Sequence, residues 1–204
     1  MAVDPRTGER VYAAIKQAIL AGELKLRQRL DIESLADRLS ASATPVRQAL
    51  AILSAERLVT AHASRGYYVA FWSERDLQTL YEWRKQLALL ATDSFEAAAA
   101  DTRPKGTVLD IYQTLMRRLE RNVNDEVKRA ANNADERLRA AHLAEAEVIP
   151  DIVEELNQLS TLIGAGERRR IARRLRSFFH RRFEAAPAIR ARASIAALPR
   201  NGDI

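Results

Sequence analysis

The apolar residues of this chain recur at the three- and four-residue spacing of amphipathic helices over most of its length, with one interruption. Residues 11–19 predict a first helix, which Gly22 ends in a left-handed conformation. The interruption lies at residues 58–71, where β-branched and aromatic residues flank a short polar tip and predict two strands. A two-stranded ribbon is marginal alone, so we expect it to pack on the helices as a wing.

Between the first helix and these strands, the pattern predicts a helix-turn-helix. Residues 32–39 form its short first helix, with Asp31 as the N-cap. After a small polar turn, Thr44 stands where an N-cap belongs and Pro45 where the first residue of the next helix belongs. This helix runs towards Leu58. The start of its outer surface is small, hydrogen-bonding and cationic, which suits a helix that enters the DNA major groove.

Beyond residue 72 the pattern is helical to the end of the chain. A capping-box spacing at Ser73–Asp76 opens a helix that we expect to reach Asp101. The third helix of this region has a thin, alanine-rich inward face, so close packing or a cavity lies beneath it. After Pro199 we expect a frayed tail. The remaining helices are predicted at residues 107–122, 125–144, 150–163, 167–184 and 188–197.

The predicted fold class is mostly α, in two domains. We expect an N-terminal winged helix-turn-helix, three helices plus a two-stranded wing, at residues 1–72 and an all-α helical bundle at residues 73–204. The chain has no cysteine, which excludes disulfides and thiolate metal sites. It shows no signal peptide and no apolar stretch of the roughly 20 residues that span a membrane. We therefore expect a cytoplasmic protein.

The net charge of +6 permits a polyanionic partner such as nucleic acid. Residues 1–72 contain ten Lys/Arg and seven Asp/Glu, a balance of +3, so the remaining +3 lies in the helical region. The basic excess is thus not concentrated in the predicted DNA-binding domain, and charge alone does not locate a DNA-binding surface.

Several short motifs follow one another between Arg10 and Ala70. They are Ile19-Leu20-Ala21-Gly22, Leu30, Leu35-Ala36, Thr44-Pro45-Val46-Arg47, Ala49-Leu50, Leu58-Val59, Arg65-Gly66 and Val69. In order and spacing this region resembles the winged-helix domain of the GntR family of bacterial transcription regulators. The resemblance implies a sequence-specific regulator, most often a repressor, that binds double-stranded DNA at a palindromic operator as a homodimer.

The helix-turn-helix pattern and the resemblance together indicate DNA-binding residues on three elements. Arg38 and Arg65 could instead be solvated surface charges, Thr44 could act only as a cap, and the wing could be a plain structural hairpin. The candidate DNA-binding residues are Arg38, Ser42, Thr44, Arg47, Gln48, His62, Arg65 and Gly66.

Two positions depart from the family pattern. Ala43 replaces a common Arg that would reach a guanine, a contact worth about 1–3 kcal/mol of discrimination. We expect a relaxed or changed half-site, in which Ala43 meets a thymine methyl group instead. Arg57 replaces a Gly that often takes a left-handed conformation, so we expect strain or an altered turn there.

Behind the wing, the run Leu80-Tyr81-Glu82-Trp83-Arg84 looks like the opening of the FCD effector domain of FadR-like regulators. That resemblance implies a helical bundle that dimerises and binds a small carboxylate, often through a metal held by an Asp, a His four residues later and two further His. Asp135 stands at the first ligand position, but Arg139 follows where the His belongs, and a guanidinium cannot ligate a metal. The domain is therefore interpreted as a degenerate FCD domain.

Several roles remain open for this part of the chain. Asp135, His142 and His180 are weak metal candidates for Zn or Ni, but we favour no metal and no cofactor. Asp135 and Arg139 could form a surface pair, or Arg84 and Arg139 could bind an anion in place of the metal. In the alternative function the domain binds no effector and only dimerises or docks another protein. The candidate effector-binding residues are Arg84, Asp135, Arg139, His142 and His180.

The arginine-rich run at residues 168–182 is conspicuous, but its apolar positions define a core face. We expect most of these arginines to be solvated. The chain contains no G-x-S-x-G, H-E-x-x-H, Walker or dinucleotide fingerprint. The sequence therefore predicts a DNA-binding protein and not an enzyme.

Overall fold

The computed structural model of the chain describes residues 5–97 and 104–196. It divides into two compact units: Trp72–Ala193 is one, and the residues on either side of it, Met1–Phe71 and Ser194–Ile204, make up the other. The mostly α fold class, with a winged helix-turn-helix followed by a helical region, is confirmed. Within the described ranges, no helix is long and apolar enough to cross a membrane.

The N-terminal unit contains the predicted helix-turn-helix and a small antiparallel sheet. β1 adds a third strand to the predicted two-stranded wing, in the order β1-β3-β2. The wing pairs Thr60 with Tyr68 and His62 with Gly66. The elements are α1 (Pro5–Ala21), β1 (Arg29–Leu30), α2 (Ile32–Arg38), α3 (Ala43–Ala55), β2 (Val59–His62) and β3 (Gly66–Val69).

One apolar core holds these elements together. α1 packs directly against α3, and the apolar stripes predicted for both helices are buried, as are residues of both wing strands. Burial of a large aliphatic side chain contributes about 1.5–3 kcal/mol, so this core fixes α3 in the domain. Its members include Val11, Ile15, Val46, Leu50, Leu53, Leu58, Val59 and Val69.

α3 begins two residues earlier than predicted. Its N-cap is Ser42, which makes no side-chain capping hydrogen bond, and Ala43 is its first residue. The prediction that Thr44 is the cap and Pro45 the first residue is therefore wrong. Pro45 is tolerated because the first-turn N–H groups have no acceptor within the helix. The predicted cap of α2 is confirmed, since the Asp31 carboxylate accepts a hydrogen bond from the Ser34 N–H.

The turns on either side of α3 use left-handed residues that are not glycine. Ser40 has a φ of 48° after α2, and Arg57 has a φ of 60° after α3. The Arg57 N–H donates to the Ser54 carbonyl and the Leu58 N–H to the Leu53 carbonyl, which is the Schellman pattern. The turn that the resembled pattern makes with a glycine is thus formed here with an arginine, at a strain of about 1–2 kcal/mol.

The second unit is built from helices, as predicted. The capping box at the start of α4 is confirmed by reciprocal hydrogen bonds between Ser73 and Asp76, and Thr107 with Asp110 forms another at α5. The elements are α4 (Glu74–Asp93), α5 (Val108–Leu119), α6 (Asp125–Val148), α7 (Ile152–Gly164), α8 (Arg168–Glu184) and most of α9 (Ala186–Ala196), whose residues 194–196 are grouped with the first unit.

Several helix ends differ from the prediction. α4 ends at Asp93 with Ser94 as its C-cap, because short polar side chains compete with the helix backbone there. Residues 95–97 are not helical, and the predicted continuation over 98–101 lies outside the described residues, as does the predicted tail after Pro199. α6 is longer than expected and reaches Val148.

Candidate functional site

The exposed side of α3 forms one candidate site, which we call the recognition surface: Ser42, Thr44, Arg47 and Gln48. All four residues are exposed, while the opposite face of α3, with Val46, Ala49, Leu50 and Leu53, is buried in the core. The helical period therefore separates an apolar inner stripe from an outer stripe of hydroxyl, amide and guanidinium groups. These groups can donate hydrogen bonds to bases and phosphates.

Polar contacts between helices fix the orientation of this surface. The Tyr12 hydroxyl donates to Glu56 Oε1 at 2.6 Å, and Lys16 Nζ lies 3.1 Å from Glu56 Oε2, which joins α1 to the residue after α3. Arg10 Nη1 donates to the Leu39 carbonyl at 2.9 Å, which joins α1 to the end of α2. These contacts tie α1 to the C-terminal end of α3 and to the end of α2, so the two helices of the helix-turn-helix are held against the same helix.

The arginines beside the recognition surface form ion pairs in open solvent. Arg38 Nη2 lies 2.8 Å from Glu23 Oε2, and Arg47 Nη2 lies 4.0 Å from Glu33 Oε1. Both arginine side chains are more than half exposed. Exposed pairs contribute about 0–1 kcal/mol, so a phosphate can replace the carboxylate at little cost.

The tip of the wing carries the remaining DNA-binding candidates. Gly66 has a φ of 85°, and the Arg65 N–H donates to the His62 carbonyl at 3.2 Å, which closes the tight turn. The His62 ring stands edge-on to Tyr68 with ring centres 5.5 Å apart. Arg65 and His62 are exposed. The tip thus presents a guanidinium and an imidazole to solvent, a second place where phosphate or a minor groove could be contacted.

A second candidate site lies inside the helical unit, around the buried Arg84 of α4. Its guanidinium donates to both carboxylate oxygens of Asp135 on α6, with Nε–Oδ1 at 2.7 Å and Nη2–Oδ2 at 3.0 Å. Arg84 Nη2 also lies 2.7 Å from Glu120 Oε1. The Tyr112 hydroxyl of α5 donates to Asp135 Oδ1 at 2.9 Å. Asp135 is thereby held by two helices besides its own.

A similar arrangement surrounds the buried Arg182 of α8. Its Nε donates to Glu145 Oε2 and its Nη1 to Glu155 Oε2, both at 2.8 Å. The guanidinium also lies 3.2 Å from the centre of the Phe178 ring. The Tyr81 hydroxyl of α4 donates to Glu145 Oε1 at 2.7 Å. Each buried arginine is therefore shared by two carboxylates, one of which also accepts a tyrosine hydroxyl.

His142 of α6 joins the two arrangements. Its Nδ1 lies 2.8 Å from Glu145 Oε1 and its Nε2 lies 3.8 Å from Asp135 Oδ1. The Tyr112 ring packs on the imidazole with ring centres 4.4 Å apart. With His142 protonated, the groups alternate in sign across the bundle. We call this set the buried charge network: Glu120, Arg84, Asp135, His142, Glu145, Arg182 and Glu155.

The electrostatic environment favours the charged forms of the central groups. Burial would lower the pKa of His142, but Glu145 and Asp135 raise it above its ordinary value. Burial would raise the pKa of Glu145, but Arg182 and His142 hold it at about 2. Burial would likewise raise the pKa of Asp135, yet Arg84 and His142 bring it well below its usual range.

The structure brings together only some of the predicted effector residues. Arg84, Asp135 and His142 meet in the network, whereas Arg139 is half-buried on α6 and His180 is exposed on α8. Asp135 takes Arg84 and Tyr112 as partners, so its carboxylate does not serve mainly as a surface partner of Arg139. Over the described ranges, no three His, Cys, Asp or Glu residues are grouped so that they could hold a metal ion.

The prediction missed Glu145, Glu155 and Arg182. Each lies on the buried face of its helix, and Arg182 continues the inward series Ile171, Leu175 and Phe178 at helical spacing. Charged residues that continue an apolar stripe were a usable signal for a buried ionic network. The other arginines predicted to be solvated on α8 are exposed or half-buried.

Comparison with known proteins agrees with the N-terminal geometry. Residues 7–69 match the family described as bacterial regulatory proteins, gntR family. The chain is 31 % identical over 90 residues to the HTH-type transcriptional repressor GlaR of Escherichia coli (strain K12), which is 44 % of this chain and 41 % of the repressor. It is 31 % identical over 119 residues to the uncharacterized HTH-type transcriptional regulator BphR of Paraburkholderia xenovorans (strain LB400), 58 % of this chain and 48 % of that protein.

The match therefore spans less than half the length of either curated relative. A crystal structure of a putative transcriptional regulator GntR from Rhodococcus sp. RHA1 has the same fold, with a TM-score of 0.73, 18 % identity, and coverage of 96 % of this chain and 100 % of that one. The matched family and these relatives are transcription regulators and not enzymes.

Proposed function

We propose that this chain, a member of the gntR family through residues 7–69, is a DNA-binding transcription regulator that represses its target genes as a homodimer on a palindromic operator. One observation carries this proposal: the recognition surface. α3 presents hydroxyl, amide and guanidinium groups to solvent at its N-terminal end, on a helix whose other face is locked into the core. The repressor assignment is supported by the name of the E. coli relative.

The two-fold arrangement follows from the geometry of this domain type. One recognition helix covers only a few base pairs, so two copies on successive major grooves give a longer, more specific site. The wing tip would contact the backbone or minor groove beside each half-site. Such a regulator acts in the cytoplasm, where its genomic target lies.

We further propose that the helical unit binds a small carboxylate effector. The support is chemical: Arg84 Nη1, Arg182 Nη2 and His142 Nε2 are buried nitrogens without a hydrogen-bond acceptor within the described part of the chain. Buried cationic donors without acceptors are costly, and an anionic ligand would supply the acceptors. An effector that binds one dimer geometry better than another shifts operator affinity by that difference in binding free energy.

A specific observation favours the alternative, an effector-independent regulator whose helical unit only dimerises. Arg84 and Asp135, two of the five predicted effector residues, are bound to each other rather than directed at an open ligand position. Thermal unfolding with a panel of small carboxylates separates the two proposals. A rise in Tm of a degree or more with one acid supports the sensor, and no response to any acid supports the alternative.

The experiment that tests the DNA-binding function is selection of genomic fragments by the purified protein, at about 150 mM salt so that non-specific phosphate binding is weak. We expect enrichment of a short palindrome. A Thr44→Ala/Arg47→Ala variant, altered only on the exposed side of α3, should fold and enrich nothing. If the wild type enriches no common sequence, the proposed function fails.

A further inference from the structure

The FCD-type domain that the sequence resembles would hold a divalent metal through an Asp and three His. The residues present here do not fit that group. Both oxygens of Asp135 are hydrogen-bonded to Arg84, and Oδ1 also accepts the Tyr112 hydroxyl. Arg139 stands where the next ligand would be, and His180 is exposed on α8.

The guanidinium of Arg84 offers instead what a metal would supply to these carboxylates. It is fully buried and lies within 2.7 Å of oxygens on both Asp135 and Glu120. Its planar fork matches the two Asp135 oxygens, so one delocalised positive charge joins α4, α6 and the end of α5. A divalent cation held by Asp135, Glu120 and His142 would join only α6 and the end of α5, so the guanidinium ties in α4 as well.

We propose that Arg84 is a built-in cation that replaces the metal ion, so that the helical unit assembles and functions without a divalent metal. The inference concerns the helical unit alone and holds whether or not the chain binds DNA or an effector. Glu120 and Asp135 carry one more negative charge than Arg84 offsets, and a protonated His142, 3.8 Å from Asp135 and 2.8 Å from Glu145, is shared between this excess and Glu145. Over the whole buried charge network, four carboxylates face two guanidiniums and one imidazolium, so one negative charge remains. The lowered pKa of Asp135 and the raised pKa of His142 agree with this charge assignment.

The first test uses the full chain after EDTA treatment. Its thermal unfolding is followed alone and with Mn²⁺, Ni²⁺ or Zn²⁺, and its metal content is measured by elemental analysis. We expect less than one tenth of an equivalent of metal and no change in Tm with any of the three ions. A stoichiometric metal whose removal lowers Tm, or a rise of roughly 5 °C at a hundredfold excess of metal over Kd, would overturn the proposal.

The second test removes the built-in cation. Arg84→Ala leaves Asp135, Glu120 and His142 around an empty position, so we expect a lower Tm that Mn²⁺, Ni²⁺ or Zn²⁺ partly restores. Arg75→Ala, an exposed change on the same helix, is the matched control and should behave like the wild type. An Arg84→Ala protein that keeps the wild-type Tm without metal would contradict the inference.

A third variant keeps the inference testable if Arg84→Ala fails to fold. Arg139→His restores the Asp-x-x-x-His spacing of the resembled family while leaving Arg84 in place. Because Arg84 still occupies Asp135, we expect Arg139→His to show no metal-dependent Tm. Metal binding by this single variant would show that Arg84 does not exclude the ion and would overturn the proposal.

Discussion

The two units of this protein use arginine in opposite ways. In the N-terminal unit, Arg38 and Arg47 are more than half exposed, and so are their carboxylate partners. In the helical unit, Arg84 and Arg182 have no exposed surface and are each shared by two carboxylates. The same residue type is therefore solvated and weakly paired in one unit, and buried between carboxylates in the other.

Exposed and buried arginines differ in the free-energy cost of losing a carboxylate partner. A solvated arginine that loses its carboxylate regains water, so phosphate oxygens can replace the carboxylate almost freely. A buried arginine that loses its carboxylate leaves an uncompensated charge in a medium of low dielectric constant. We therefore expect substitution of the exposed Arg38 or Arg47 to change DNA affinity but not stability, and substitutions in the buried charge network to change stability but not DNA affinity.

The largest effect is expected at Arg182. Arg182→Leu keeps the side chain's bulk but leaves Glu145 and Glu155 buried without a cation, which should lower the free energy of unfolding by about 3–5 kcal/mol. Urea unfolding followed by circular dichroism measures this loss. Arg176→Leu, an exposed change on the same helix, should stay within about 0.5 kcal/mol of the wild type. A loss below about 1 kcal/mol for Arg182→Leu would mean that the network does not hold the bundle together.

The next largest effect concerns DNA readout. Ala43→Arg places a guanidinium at the first position of α3, so the selected half-site should gain a guanine with about 1–3 kcal/mol of discrimination. Fragment selection with this variant and the wild type, followed by anisotropy titrations on both sequences, measures the change. Ala43→Met adds an unbranched side chain without donors and should gain no guanine. If Ala43→Arg selects the same DNA sequence as the wild type, residue 43 lies away from the bases.

A smaller effect is expected at the strained turn after α3. Arg57→Gly relieves a left-handed conformation while the Schellman hydrogen bonds remain, so the variant should be more stable by about 1 kcal/mol. Thermal unfolding of Arg57→Gly is compared with that of Arg57→Ala, which keeps the left-handed strain and should gain no stability. Equal melting temperatures for the two variants would show that the turn relaxes in solution.

The last prediction is a pH dependence confined to neutral and alkaline conditions. The folded-state pKa of His142 is raised, so its contribution to stability is complete below its unfolded value of about 6.5 and is lost as pH rises through the folded-state pKa. Unfolding free energies between pH 6 and 9 should fall for the wild type and stay flatter for His142→Gln. His180→Gln, altered at an exposed histidine, should follow the wild type. If the unfolding free energies of His142→Gln and of the wild type change in parallel with pH, a charged His142 does not stabilise the fold.

Sequence patterns predicted the fold of the N-terminal unit well because residues close together in the chain specify most of its elements. The Asp31 cap, the left-handed Gly22 and the strand formers around Tyr68 each specify structure within a few residues. The start of α3 was misplaced because Ser42, Thr44 and Pro45 are all acceptable near a helix start, and packing of the apolar face decided between them.

The interior of the helical unit could be predicted only in part. Arg84 and Asp135 were singled out, but as residues for an effector rather than as partners of one another. Pairings such as Glu145 with Arg182 join residues far apart in the chain, and helical periodicity says which face a residue takes but not which helix it meets. A charged residue on an apolar stripe indicates that a buried partner exists without naming it.

The most direct test of the account is an anisotropy titration of wild type and Arg47→Ala on the selected palindrome and on a scrambled duplex, at about 150 mM salt. We predict that the wild type prefers the palindrome by about 10³-fold or more, and that Arg47→Ala loses roughly 5- to 150-fold on the palindrome at unchanged Tm. Equal affinity of the wild type for both duplexes, or wild-type affinity in Arg47→Ala, would contradict the claim that the exposed side of α3 reads DNA.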